Sequence, residues 1–175
     1  MAEYVALDPN AEVLGITINA TLSSMGDPIE ILKKYDLYPI VNDVWYNQQK
    51  WLNAFKELAQ TNFLNLVAIG MKIPDLAAWP PNVVTVHDAL ASIGMAYPMN
   101  HRNGEIGSYI YTPTGENSGV MVCANPYPSD FDYGLIYRTV QKFRDASSTK
   151  LMVKRDESKP SRIGGGESCT FLVEW

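Results

Sequence analysis

Few side chains in this 175-residue sequence carry the chemistry of catalysis or metal binding: two cysteines, Cys123 and Cys169, and two histidines, His87 and His101. A thiolate is a nucleophile and a soft metal ligand, and an imidazole binds iron or zinc through either ring nitrogen. Neither cysteine has a histidine near it in sequence, and each reads as well as a small apolar core residue. His87 lies in a first helical turn beside Asp88, where it could take a metal or a haem iron. His101-Arg102 follows a helical segment and suits a carboxylate or phosphate. Two histidines without visible supporting groups are a weak basis for a metal site. Gly164-Gly165-Gly166 lacks the Gly-Lys-Ser/Thr ending of a phosphate loop and precedes a strand, so it reads as a tight turn. Asp130 and Asp132 stand two apart, but Ser129 with Asp132 resembles a capping box, and both acids suit the positive end of a helix. No triad, carboxylate pair or nucleotide fingerprint stands out.

The aromatics and amides are more suggestive. Trp45, Tyr46, Gln48, Gln49 and Trp51 combine large rings with uncharged hydrogen-bonding groups, as an apolar pocket with a few orienting polar groups requires. Met71, Met95, Met99, Tyr97, Tyr109 and Tyr111 could line the same cavity, methionine being adaptable filler. An ordinary core helix with a wet N-terminus explains the same residues. Trp79-Pro80-Pro81 is an edge lid or a rigid loop.

These residues need elements to position them. Val13 to Ala20 reads as a strand. Asp27-Pro28-Ile29-Glu30 opens a short helix to about Tyr35. Asn42-Asp43 caps a second helix to about Gln60, with Val44, Trp51, Leu52, Phe55, Leu58 and Ala59 near the 3.6 period. Asn62 to Met71 is apolar enough to be buried, as helix or strand. Pro74 and Trp79-Pro80-Pro81 enforce a loop. Thr85 caps a helix of Val86, Leu90, Ile93 and Tyr97. The period then changes to two: Glu105 to Thr112 and Ser118 to Cys123 flank Pro113-Thr114-Gly115-Glu116 as a hairpin. A helix follows with Phe131, Leu135, Ile136, Val140 and Phe143. Lys150 to Asp156 is a strand, and Cys169, Phe171, Val173 and Trp175 share one face of a terminal strand. The expectation is a single α+β domain over residues 1–175, helical first and then β-β-α-β-β, with an antiparallel sheet carrying helices on one face.

The bulk properties fit. A composition 46% hydrophobic and 19% charged is that of a globular chain. A net charge of −5 argues against nucleic acid and anionic membrane as partners. The N-terminus lacks the pattern of a signal peptide, and no apolar run approaches the roughly 18–20 residues of a membrane span. The expected setting is cytoplasmic, and the expected assembly is a homodimer.

The terminal third, with Phe131-Asp132-Tyr133-Gly134 opening a helix, Ser161 to Gly166, and Cys169-Thr170-Phe171, resembles the 4-vinyl reductase class of small-molecule-binding domains, related to the vesicle-tethering TRAPP fold. Trp45 to Leu52, Met71 to Pro74 and Tyr127 to Asp132 are similar to a bacterial family of this length without assigned activity. The resemblance implies a sensor-type domain that binds a small apolar or aromatic molecule between helices and sheet, without catalysis. From the residue types, those expected to line the ligand are Trp45, Gln48, Gln49, Trp51, His87, Met95, His101, Tyr109 and Tyr111. Metal-bearing members of that class hold structural zinc on cysteines. Here the corresponding positions are Ser129, Ser161 and Cys169, with Glu157 or Glu167 as candidate acids, so the zinc site reads as degenerate. No cofactor is expected. The alternatives are a haem- or other tetrapyrrole-binding accessory protein, or a vinyl-reductase-like enzyme, with His87 or His101 facing the pocket, and a dimeric scaffold.

Overall fold

A computed structural model describes residues 2–23, 25–61 and 65–175. Among the described residues two antiparallel sheets and six α-helices share one continuous apolar core that runs from Val13 to Val173. In the first sheet β1 (Glu12–Leu14) lies between β2 (Trp45–Asn47) and β3 (His101–Arg102). In the second, β4 (Ser108–Gly115), β5 (Ser118–Ala124), β7 (Cys169–Glu174) and β6 (Met152–Arg155) follow in that spatial order. The helices are α1 (Gly15–Leu22), α2 (Ile29–Lys34), α3 (Gln48–Thr61), α4 (Leu66–Leu76), α5 (Val86–Ala96) and α6 (Ser129–Phe143). The α+β expectation holds, with antiparallel sheets and helices.

Several boundaries differ from the sequence reading. The strand expected over Val13 to Ala20 stops at Leu14 and the chain turns into α1. Gly15 allows that turn, because a Cβ there would run into the Val41 carbonyl. The β-branched residues after it are held helical by packing, with Ile18 fully buried. The helix expected from Asn42-Asp43 begins later. Trp45 to Asn47 pair with β1, and the Asn47 carboxamide then accepts the Lys50 N–H at 3.0 Å to start α3. In the apolar stretch from Asn62, residues 62–64 lie outside the described residues, and the remainder is helix α4, capped by Asn65 on the Ala68 N–H at 3.2 Å. Pro74 sits inside the last turn of α4 instead of breaking the chain before it. Thr85 and Asp88 close a reciprocal capping box on α5. β4 carries on through Pro113 to Gly115, so the hairpin turns at Glu116-Asn117.

Two contacts set the layers. Helices α4 and α6 cross at Gly70 and Gly134: a Cβ on Gly70 would strike the Phe131 carbonyl, and one on Gly134 the Val67 carbonyl. The terminal strand β7 is paired on both sides, with β5 and β6. It turns Cys169, Phe171 and Val173 into the core, while Trp175 is half-buried with its N–H on the Asn117 carbonyl.

Candidate functional site

The short sheet brings His101 inside. α5 ends just before Tyr97, a tight turn follows, and β3 draws His101 against Val13 of β1. The ring is 4% exposed and stacks on Tyr97 with centroids 4.1 Å apart. Its Nδ1 lies 2.9 Å from the Tyr97 carbonyl, which can only accept, so Nδ1 carries the proton. Nε2 is then the lone-pair nitrogen, and the Tyr127 hydroxyl donates to it across 2.8 Å. Burial lowers the pKa of His101 to about 4, so the imidazole is neutral at physiological pH.

Facing this pair is the start of α3. Gln48 is anchored by its backbone N–H on the Ala11 carbonyl at 2.8 Å, and its side chain is fully buried. Among the described residues neither Oε1 nor Nε2 of Gln48 finds a hydrogen-bond partner, nor does Nε1 of the equally buried Trp51. The Gln48 amide lies close enough to influence the Tyr97 and Tyr127 hydroxyls, and Trp51 the Tyr127 hydroxyl, yet none closes a hydrogen bond. A buried polar group without a partner ordinarily costs about 1–3 kcal/mol, so three such atoms beside the tyrosine that bonds His101 mark a place built to meet something.

An aromatic layer surrounds them. Trp51 stacks on Phe55 at 5.4 Å, Phe55 meets Phe131 edge-on at 5.8 Å, and Phe131 stacks on Tyr127 at 5.7 Å. Below it lies a charged cluster. Asp132, fully buried, accepts from the Tyr109 hydroxyl at 2.5 Å, from Asn125 Nδ2 at 3.3 Å and from the Arg162 guanidinium. Arg162, on a single 3-10 turn (Arg162–Gly164), also donates to the Tyr127 carbonyl at 2.5 Å and to Asn125 Oδ1 at 3.0 Å. Burial pushes the Asp132 carboxyl up to about 6, against the pull of Arg162, Tyr109 and Asn125, which keep it ionised at neutral pH. The cluster holds the segment before α6, and so positions Tyr127.

No family model matches the chain, and no curated protein is significantly similar to it in sequence. Solved structures do match. An H-NOX protein from S. oneidensis in its Fe(II)NO ligation state superposes with a TM-score of 0.66 at 15% identity, over 92% of this chain and 98% of that one. A point mutant of the T. tengcongensis H-NOX protein gives 0.66 at 15% identity, over 91% and 93%. The Fe(II) unliganded H-NOX protein from K. algicida gives 0.63 at 15% identity, over 92% and 95%. The fold is the H-NOX fold. The expected kinship with the 4-vinyl reductase class is thereby corrected: the likeness rested on the last third of the chain, whereas the H-NOX match spans nearly all of it.

Other matches to this fold are described in terms of haem distortion, which makes haem the group to test against the residues present. The donor fits. Haem iron takes an imidazole nitrogen, and a ligating imidazole ordinarily gives its other N–H to a carbonyl or carboxylate. His101 is neutral, has Nδ1–H on a carbonyl and turns Nε2 inward. The volume around it is closed by the ring layer. Two open clefts, of about 320 and 440 Å³, are lined by Asn19, Leu32 and Tyr38 and by Lys150, Glu174 and Trp175, none of them at His101. A macrocycle therefore needs Tyr127 to leave Nε2 and the rings of α3 and α6 to part.

Of the residues singled out from sequence, Gln48, Trp51 and His101 come together, with Tyr109 one shell below through Asp132. The others go elsewhere. Trp45 carries the Arg102 guanidinium on its face at 4.2 Å. Gln49 pins the N-terminal segment, accepting from Ala6 at 2.8 Å and donating to the Tyr4 carbonyl at 3.0 Å. His87 pairs with the Tyr111 hydroxyl at 2.7 Å and the Glu116 carbonyl at 2.9 Å, under Trp175, where it ties α5 to the hairpin. Met95 is 63% exposed. The three positions of the degenerate zinc reading are each engaged. Ser129 Oγ accepts from Arg155 at 2.8 Å, Ser161 Oγ from Gly164 N–H at 3.3 Å, and Cys169 Sγ from Arg162 N–H at 3.4 Å. Among the described residues no group of three or more His, Cys, Asp or Glu is placed to hold a metal ion. The capping account of Asp132 is corrected: it is the buried partner of Arg162, and the first N–H of α6, that of Ser129, goes instead to Glu3 Oε1 at 2.7 Å. Its signal was in the sequence, because Asp132 stands on the same face as Leu135, Ile136, Thr139 and Val140, a carboxylate in an apolar stripe.

Proposed function

We propose that the chain is a ligand-binding, sensor-type domain whose ligand is a haem-type tetrapyrrole, with His101 as the iron ligand. The single observation that supports this most is the state of His101: neutral, oriented by a carbonyl at Nδ1, and with Nε2 on the Tyr127 hydroxyl, beside which the polar atoms of Gln48 and Trp51 stay unpaired. The fold shared with H-NOX proteins agrees with it. Bound iron would supply a coordination position for a small diatomic or similar ligand. The chain's own residues do the rest. Tyr97 fixes the ring, Tyr127 covers Nε2 while the site is closed, and the Asp132–Arg162 cluster holds the segment that carries Tyr127. Gln48 and Trp51 offer donors and an acceptor inside a dry layer, where a hydrogen bond counts for more than in water.

The closed ring layer favours a second reading, a small polar molecule of a few atoms in place of a tetrapyrrole, since such a ligand meets Gln48 and Trp51 without parting the rings. Native mass spectrometry of the freshly purified chain separates the two. An adduct of haem mass supports the first, and a small adduct lost in Gln48→Leu supports the second. A bare chain that also stays bare after incubation with hemin removes the first.

A further inference from the structure

We infer that Cys123 and Cys169 are a redox-active pair that closes to a cross-strand disulfide when a peroxide reaches Cys169. This inference is independent of the haem reading. The two residues stand directly opposite each other on antiparallel strands β5 and β7, both free and both turned into the core. Opposed residues in such a ladder have Cβ atoms about 4.5–5.5 Å apart. A disulfide needs about 3.5–4.5 Å, so a small closure suffices.

The surroundings of the two sulfurs differ in a way that assigns their roles. Cys169 Sγ receives the Arg162 backbone N–H at 3.4 Å and lies against the Arg162 guanidinium. The Nε of that buried guanidinium has no hydrogen-bond partner among the described residues. Cys123 lies toward the Asp132 carboxylate, and burial together with that charge keeps its thiol protonated. The turn that gives Cys169 its Arg162 N–H continues through Gly164 and Gly165, which are exposed, and around Gly165, with φ of +85°, a Cβ would meet nothing within 4 Å. Opening of that turn admits a small oxidant to Cys169 without unfolding the sheet.

The chemistry balances. The Cys169 sulfur attacks one peroxide oxygen, the O–O bond breaks, and the sulfur becomes a sulfenic acid while the thiol proton joins the other oxygen, which leaves as water. The Cys123 sulfur then attacks the sulfenic sulfur, the S–O bond breaks, and a second water leaves. Two thiols are oxidised by two electrons, and one hydrogen peroxide is reduced to two waters. In the product Cys169 Sγ bonds Cys123 instead of accepting from Arg162, so the Arg162 turn loses an anchor.

The test treats the reduced native chain with a slight excess of hydrogen peroxide, then denatures it in a thiol-alkylating reagent. The expected result is a monomer with no alkylated cysteine, a cross-linked Cys123–Cys169 peptide pair, and faster amide exchange over residues 161–166. Cys123→Ser is expected to stop at a Cys169 sulfenic acid that dimedone labels. Two alkylated cysteines in the wild type, a disulfide between two chains, or first oxidation at Cys123 would each overturn the inference. The wild-type result decides even where the variant does not fold.

Discussion

His101 couples the site to pH. Its pKa falls from 6.5 to about 4 on burial, so the unfolded chain binds a proton that the folded chain refuses. Its contribution is therefore fully present above pH 6.5 and is lost as pH falls through about 4. Asp132 has the opposite sign: its pKa rises from 3.8 to about 6, so its contribution is present below 3.8 and lost as pH rises through about 6. Comparing wild type with His101→Asn cancels Asp132, which both chains keep. The stability of the wild type relative to that variant is expected to fall by roughly 3 kcal/mol between pH 7 and pH 4, because each tenfold loss of proton affinity on folding is worth about 1.4 kcal/mol. Urea unfolding across that range checks it, and a flat difference would mean that His101 is not buried as a neutral ring. The charged cluster gives a second test at this scale. Arg162→Met leaves Asp132 buried and unpaired and is expected to cost about 3–5 kcal/mol, whereas the double variant Asp132→Leu/Arg162→Met is expected to recover much of that loss. Equal losses in single and double variants, again from urea unfolding, would contradict the pairing.

At the scale of elements, the close crossing of α4 and α6 depends on two glycines, each facing the other helix's carbonyls. Gly134→Ala forces a methyl against the Val67 carbonyl and is expected to cost at least about 1–3 kcal/mol. A thermal melt within a degree of wild type would argue against that crossing. This is also where the sequence was most and least legible. Helix α5 was readable because period and local capping agree, at Thr85 with Asp88, and α6 and strands β4, β5, β6 and β7 were readable from their period. The three-stranded sheet was not. Its strands are two or three residues long, too short to show alternation, and exist because distant segments pair. Reading Trp45 and Tyr46 as helical placed them beside Gln48 and Trp51, yet the strand ends between them and the two pairs part. His101 was visible as a histidine but not as an interior one, because β3 itself was invisible. Arg162 was hidden for a related reason: beside three glycines it looks like a surface loop, and its burial depends on a partner 30 positions away.

For the whole molecule, the fold matches H-NOX proteins along nearly its full length at about 15% identity, while the interior is packed with this chain's own rings. One continuous core joins the N-terminal half to the C-terminal sheet, and His101 sits in it among aromatic rings, with Gln48 and Trp51 unsatisfied near its Tyr127 partner. A ligand there would separate or bridge the two parts, a direct way to turn occupancy into a change of shape. That is why the haem reading needs those rings to part, and it makes the account decidable by spectroscopy. Hemin titrated into the purified chain is expected to give a saturable, shifted Soret band at one haem per chain, abolished by His101→Ala and retained by His87→Ala. An unshifted spectrum in the wild type, or a shift that survives His101→Ala, would contradict it.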